Sequence, residues 1–263
     1  KGITNVIGLI IPDLQNQYFS DLVSRIESIL SAAGYNLMIG HSHDNAIKEI
    51  NLVKSFYSYN IDGLILIISS NHSEETYSNL NEYLTKVDKP VVYIDRKMPD
   101  MQFPCFLTND RYGGYIATKH LLSLGHRTIG CLTGPLNIES AYERYLGYLD
   151  ALNEFNINVN QKLCFEGDYY VDSGFISFPY FIKQSVTAIF AANDVMAFGL
   201  FRSAYESNVS IPEDISVIGF DNNFSCKFTN PPLTSVEQST DEISKNSTQW
   251  LIRKINNINT NSN

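Results

Sequence analysis

Strand-like and helix-like hydrophobic patterns alternate along almost the whole of this 263-residue chain. Short apolar runs that end in Pro, Asp, Asn or Gly are followed by segments in which apolar residues recur every three or four positions. About four such strand–helix units precede residue 100, and about four follow it. Strands that alternate with helices form parallel sheets with helices on both faces. The pattern therefore predicts an α/β fold of two lobes, each a parallel sheet flanked by helices.

Two irregular stretches are expected to carry the chain between the lobes. The first, at about 96–108, contains Pro99 and Pro104, and the second, at 231–238, begins with a Pro–Pro pair. We therefore predict an N-terminal lobe of residues 1–106 plus about 239–256 and a C-terminal lobe of residues 107–238. The Asn-rich residues 257–263 are predicted to be a disordered tail. Asp44 is predicted to cap a helix over about 45–60.

Composition excludes several classes of function. The formal net charge of −9 argues against nucleic-acid binding by this stretch itself, which would need a basic face. The four cysteines form no CxxC pair and are expected to be buried free thiols, which is typical of a reducing cytoplasm. No apolar run approaches the ~20 residues of a membrane span. We find no phosphate-binding, nucleophile or zinc motif, and predict no enzyme activity, no cofactor and no metal site.

Polar residues follow three of the predicted strands directly. Asn193 follows the apolar run at 186–192, Asp221 follows 215–220, and Asp95–Arg96 follow 91–94. In open parallel sheets, ligands bind outside the carboxyl ends of the strands. Amide, carboxylate and guanidinium groups at these positions favour a small ligand dense in hydroxyl groups.

Eight segments, in this order and spacing, resemble the effector-binding core of the lactose/galactose-repressor (LacI/GalR) family of bacterial transcription regulators. They extend from residue 6 to about residue 240. The segments are Val6–Pro12, Asn16–Phe19, Asp62–Ile65, Leu121–Gly130, Leu132–Pro135, Ala191–Asp194, Ile211–Asp221 and Pro231–Val236.

The resemblance implies a fold shared with periplasmic sugar-binding proteins, with a ligand held in the cleft between the two lobes. It also implies a homodimer in the cytoplasm that binds operator DNA through an N-terminal helix-turn-helix domain. Nothing in this chain resembles that domain, so we expect the sequence to be the core alone. In this family, sugar binding alters operator binding, and here the sugar is expected to release the DNA.

Ribose operon repressors are the members of the family that this chain resembles most. Matching their ribose-binding positions one by one implies a ligand-binding set drawn from both lobes. Carboxylates accept hydroxyl protons, Arg donates in a planar fork, and aromatic rings cover the apolar faces of a sugar. The matching residues are Asn16, Tyr18, Phe19, Asp95, Arg96, Arg144, Tyr169, Asn193, Asp221 and Gln238.

Several of these residues also have purely structural alternatives, which the sequence leaves open. They are a helix N-cap for Asn16, a hydrophobic staple for Tyr18 and Phe19, a self-contained ion pair for Asp95 and Arg96, a surface pairing with Glu139 or Glu143 for Arg144, and a loop cap for Asp221.

Three functional alternatives remain beside a sugar-sensing repressor core. A periplasmic sugar-binding protein for transport is disfavoured by the unpaired cysteines and by the repressor-like segments Gly125–Arg127 and Pro212–Asp214. An enzyme acting on a sugar or nucleotide would need catalytic residues that the spacing does not reveal. A purine effector, found in one branch of the family, is less favoured by Asp95–Arg96 than a sugar. Among sugars we expect ribose ahead of sucrose or fructose.

Overall fold

The computed structural model of the chain describes residues 3–87, 89–98 and 100–261, the last four by their backbone only. Contacts between residues divide the chain into two compact units. Unit 1 comprises Lys1–Thr108 with Ser239–Asn263, and unit 2 comprises Asn109–Gln238. Each unit contains one five-stranded parallel sheet flanked by helices, which confirms the predicted fold class.

Unit 1 contains a sheet in the order β2–β1–β3–β4–β5, with every neighbouring pair parallel. Strands β3 and β4 are buried along their whole length, as expected of strands covered on both faces. The strands are β1 (Val6–Ile11), β2 (Asn36–His41), β3 (Gly63–Leu66), β4 (Val91–Ile94) and β5 (Cys105–Phe106), and the helices are α1 (Gln17–Ala32), α2 (Ala46–Ser58), α3 (Glu74–Val87) and α8 (Thr240–Asn261).

The apolar run of β1 supplies both faces of this sheet because successive side chains of a strand point to opposite sides. Ile7 and Leu9 join a core that includes α1 and α8, and Ile10 joins a second core that includes α2 and α3. A continuous apolar run rather than an alternating one is therefore what this strand requires.

Unit 2 repeats the arrangement, with the strand order β7–β6–β8–β9–β10 and all pairs parallel. Its buried core lies on both faces of β6, β8 and β9. The strands are β6 (Ile129–Thr133), β7 (Cys164–Glu166), β8 (Ala188–Ala191), β9 (Ser216–Asp221) and β10 (Thr234–Glu237), and the helices are α4 (Asp110–Ser123), α5 (Glu139–Glu154), α6 (Val171–Lys183) and α7 (Asp194–Glu206).

The structure differs from the sequence prediction at several points. The stretches expected to be irregular contain the short edge strands β5 and β10. Their sequences show no strand pattern, and they form strands because they pair with β4 and β9. Asn45, not Asp44, caps α2, because the Asn45 side chain accepts a hydrogen bond from the backbone N–H of Lys48.

The end of the chain also differs from the prediction. Helix α8 continues to Asn261, through five of the residues expected to be a disordered tail. Once Leu251 and Ile255 are packed in the core of unit 1, each further residue adds a helical bond without a new nucleation cost. Residues 262 and 263 lie outside the described residues. Within the described part of the chain, no helix combines the length and apolar character needed to cross a bilayer.

Candidate functional site

In each sheet, the strand order reverses direction beside the first strand of the unit. This point lies between β1 and β3 in unit 1 and between β6 and β8 in unit 2. Loops on either side of such a switch point separate at the carboxyl ends of the strands and leave a crevice there. The predicted site residues of each unit follow strands at this edge or lie in the first two turns of the helices beside it, or directly before them.

In unit 1, the start of α1 brings Tyr18 to the end of β4. The Asn16 side chain caps α1 by accepting a hydrogen bond from the Tyr18 N–H at 3.0 Å. The Tyr18 hydroxyl then donates to Asp95 Oδ1 at 2.6 Å, and both residues are buried. Asp95 adopts a left-handed backbone conformation, with φ of 70°, as the chain leaves the strand. Asn16 is thus confirmed as a helix cap.

Arg96 is held by groups from two other loops and from helix α1. Its guanidinium donates to Asp44 Oδ1 and, at 3.1 Å, to the carbonyl oxygen of Ile68. Its Cζ atom lies 5.9 Å from the centre of the Phe19 ring, and its Nε atom lies 3.9 Å from Asp95 Oδ2. Asp95 and Arg96 are therefore not a self-contained ion pair. Burial works against ionisation of Asp44, but Arg96 and Ser70 outweigh it and lower the Asp44 pKa.

A second buried network adjoins this cluster, and no local sequence pattern indicates it. The Glu49 carboxylate is fully buried and accepts hydrogen bonds from the Ser69 N–H at 2.6 Å and from the Ser69 hydroxyl. Its other oxygen lies 2.9 Å from His72 Nε2. The next residue, Ser70, donates its N–H to Asp44 at 3.0 Å. Glu49 thereby fixes the segment at 68–70 that orients both Asp44 and Arg96.

In unit 2, Arg144 lies at the centre of a buried polar cluster. Its Nε atom donates to Asp110 Oδ1 at 2.7 Å, and its Nη1 atom donates to the Ala192 carbonyl at 2.6 Å. Nη1 also lies 3.6 Å from Asp221 Oδ1, and Cζ lies 3.8 Å from the centre of the Phe220 ring. Burial disfavours the charged guanidinium, but these carboxylates reverse the effect and raise the Arg144 pKa. The alternative of a surface pairing with Glu139 or Glu143 is therefore wrong.

Gln238 completes the Asp221 side of this cluster, because its amide donates to Asp221 Oδ1 at 2.6 Å. Asp221 ends β9 with φ of 110°, a left-handed conformation that turns the chain away from the sheet. Both side chains are buried, so the carboxylate is held by Arg144 and Gln238 rather than serving only as a loop cap.

Asn193 and Tyr169 form the remaining part of the cluster. The Asn193 side chain caps α7 by accepting from the Met196 N–H, and its amide donates to the Tyr169 carbonyl at 3.1 Å. Tyr169 itself has φ of 71°. Burial raises the pKa of Tyr169 to about 12, although Arg144 opposes this shift. The phenol is therefore a neutral donor at physiological pH.

The structure thus gathers Tyr18, Phe19, Asp95 and Arg96 in unit 1, and the other five predicted residues in unit 2, while Asn16 acts beside the first group as a cap. Sequence reasoning missed Asp44 and Asp110 as partners of the two arginines. Asp110 stands in the first turn of α4 and Asp44 follows β2, so their places at helix starts and strand ends were the available signals.

Both clusters are suited to hydrogen bonding rather than to metal chemistry. They combine carboxylates, guanidinium groups, amides and phenols beside aromatic rings. Across the described ranges, no three His, Cys, Asp or Glu side chains are grouped so that they could hold a metal ion. What the clusters offer is a set of fixed donors and acceptors for a polar ligand.

Comparison with known proteins agrees with this architecture. Residues 118–263 match the family model of the periplasmic binding protein-like domain. The HTH-type transcriptional repressor PurR of Vibrio atlanticus is 34% identical over 254 residues, which cover 96% of this chain and 75% of the repressor.

Two solved structures show the same fold. The transcription regulator CcpA of Lactococcus lactis superposes with a TM-score of 0.86 at 26% identity, covering 95% of this chain and 90% of that one. A LacI-family regulator of Enterococcus faecium with bound ribose gives a TM-score of 0.84 at 32% identity and the same coverage.

Two parallel sheets, each with polar side chains at the carboxyl ends of its strands, define the chain as a ligand-binding module of the periplasmic-binding-protein type. The chain belongs to the LacI/GalR family of transcription regulators, in which it forms the effector-binding core of a repressor.

Proposed function

We propose that this core senses a sugar, with ribose as the first candidate, and that sugar binding alters operator DNA binding by the repressor. The sugar would be held by the two polar clusters together, one from each unit, in the cleft expected from the sequence. The observation that carries the proposal is the pairing of a carboxylate and a guanidinium in each cluster, Asp95 with Arg96 and Asp221 with Arg144. The ribose bound to the Enterococcus faecium relative supports the same choice of ligand.

The chemistry of the two clusters suits a sugar better than a charged or apolar ligand. Each carboxylate can accept two hydroxyl protons, and each guanidinium keeps donors beyond those used within the protein. Hydrogen bonds to charged groups contribute roughly 1.5–3 kcal/mol each. Several of them, less the cost of association, give an affinity of about −8 kcal/mol, in the micromolar range.

A ligand that contacts both units favours the arrangement of the units in which both sets of contacts form, and so shifts the population toward it. Moving a population from 1:99 to 99:1 takes about 5.5 kcal/mol of differential affinity. In a cytoplasmic homodimer, this shift would be conveyed to the DNA-binding domains of the repressor. The role is that of a sensor, with no catalytic step.

A thermal-shift screen tests the proposal against its alternatives. Ribose, sucrose, fructose and a purine base would each be added to the chain, and we expect ribose to raise the melting temperature most. Asp95→Asn and Arg144→Met should each abolish the shift. Asp150→Asn, which removes the exposed Arg111–Asp150 pair of unit 2, should leave it intact. A shift with the purine alone, or a ribose shift that survives both site variants, would overturn the proposal.

A further inference from the structure

Two of the four cysteines lie side by side in the sheet of unit 2. In the register of the parallel strands β6 and β7, Cys131 pairs directly with Cys164. Neighbouring strands lie about 4.7–4.9 Å apart, which falls within the Cα–Cα range of ~4.4–6.8 Å that a disulfide can bridge. The backbone therefore already places the two residues at a distance compatible with a covalent bond.

Both side chains project from the same face of the sheet. Cys131 and Cys164 join the core that contains Tyr148 of α5. Their neighbours along the strands, Leu132 and Phe165, join the core on the opposite face. The two thiols consequently face one another across a strand pair rather than lying on opposite sides of it.

The two thiols differ in access and in acidity. Cys131 is fully buried in a central strand, whereas Cys164 is half-buried in β7, the edge strand of the sheet. Donation from the Cys131 thiol lowers the pKa of Cys164, with burial opposing the shift. Burial in turn raises the pKa of Cys131. The thiolate, which is the reactive form, thus forms more readily on the more accessible residue.

We propose that Cys131 and Cys164 are a reversible oxidation site, which hydrogen peroxide converts from a dithiol to a disulfide. The Cys164 thiolate attacks one peroxide oxygen and the O–O bond breaks, giving a sulfenic acid and hydroxide, which takes up a proton to become water. The Cys131 sulfur then attacks the Cys164 sulfur, and the Cys131 proton passes to the departing hydroxyl group, which leaves as a second water. Two thiols are oxidised and one peroxide is reduced to two waters. An external dithiol reverses the change by exchange.

The other two cysteines serve as internal controls because their thiols are engaged elsewhere. The Cys226 thiol donates to the buried Asp194 carboxylate at 3.1 Å, and the Cys105 thiol donates to the Arg96 carbonyl oxygen at 3.4 Å. Cys105 also belongs to the other unit. If the disulfide forms because Cys131 and Cys164 are paired in the sheet, Cys105 and Cys226 should both stay reduced.

The test is to treat the native chain with hydrogen peroxide, block remaining thiols with N-ethylmaleimide, and measure intact and peptide masses. We expect the loss of two hydrogen atoms, two fewer blocked thiols, a linked Cys131–Cys164 peptide, and full reversal by dithiothreitol. Cys131→Ser should stop at a sulfenic acid that dimedone traps on Cys164. Cys105→Ser and Cys226→Ser should oxidise like the parent chain.

Three results would overturn the proposal. They are two free thiols at positions 131 and 164 after treatment, a linked peptide that appears only when the chain is first denatured, and a linkage that involves Cys105 or Cys226. Because the parent chain alone gives the linked peptide, the test does not depend on the variants folding. It is also independent of whether the core binds a sugar.

Discussion

The buried Asp110–Arg144 pair gives the most quantitative test of how unit 2 is held together. Asp110→Asn keeps the shape and one acceptor oxygen but removes the charge that lies 2.7 Å from Arg144 Nε. At an effective dielectric of about 20, the attraction across that distance is about 6 kcal/mol before desolvation is subtracted. Deleting one partner of a buried pair costs about 3–5 kcal/mol overall. Because Asp221 and the Ala192 carbonyl still contact the guanidinium, we expect a cost at or below the bottom of that range, about 2–3 kcal/mol.

A double-mutant cycle separates the pair from the other contacts of Asp110. The free energy of unfolding would be measured in urea by circular dichroism for the parent chain, Asp110→Asn, Arg144→Met and the double variant. Without Arg144, the Asp110 carboxylate is a buried charge with less compensation, so its replacement by Asn should cost little or increase stability. The coupling energy should reach about 2 kcal/mol. Equal costs of Asp110→Asn in both backgrounds, within about 0.5 kcal/mol, would refute this account of the cluster.

Three further predictions concern the residues around the two clusters. Glu49→Gln removes the buried negative charge that fixes Ser69 and His72. The free energy of unfolding, measured by urea denaturation, should therefore fall by about 2 kcal/mol. Unchanged stability would contradict the network. Asp44→Asn should reduce the loss of the free energy of unfolding as the pH falls below 3.8. The folded state lowers the Asp44 pKa, so the carboxylate's contribution to stability is present above its ordinary pKa of 3.8 and is lost as the pH falls through the lower folded value. A parent chain that loses stability no faster than the variant below pH 3.8 would show that this reasoning is wrong. Gly114→Ala would place a methyl carbon 2.1 Å from the Arg144 carbonyl oxygen, and overpacking of this kind lowers stability by about 1–3 kcal/mol. Calorimetry should therefore show a clearly lower melting temperature. An unchanged melting temperature would mean that α4 and α5 can separate without cost.

The sequence was sufficient for those features that depend on local patterns. Among the described residues, apolar runs and helical spacing located eight of the strands and all eight α-helices; β3 and β4, for example, are buried on both faces, and α1 has one apolar face. The polar residues that end β4 and β9 were visible for the same reason. The edge strands β5 and β10 were not, since β5 has only two residues, and three of the four residues of β10 are polar and two are exposed.

The partners within each cluster depend on contacts between residues distant in the sequence, which local patterns do not encode. Asp110 lies 34 positions before Arg144, and Asp44 lies 52 positions before Arg96. Asp44 was predicted to cap a helix because it precedes one, yet its neighbour Asn45 does so and leaves the carboxylate for Arg96. Glu49 lies within α2, where a charged residue is normally exposed, and only the fold shows that it is buried.

Isothermal titration of the chain with ribose tests the central claim, that residues of both units bind one sugar. The account predicts saturable binding of one ribose per chain with micromolar affinity, lost in Asp95→Asn of unit 1 and equally in Asp221→Asn of unit 2, and retained in Asp150→Asn. No heat of binding with ribose, sucrose or fructose, or binding that one of the two site variants leaves unchanged, would contradict it.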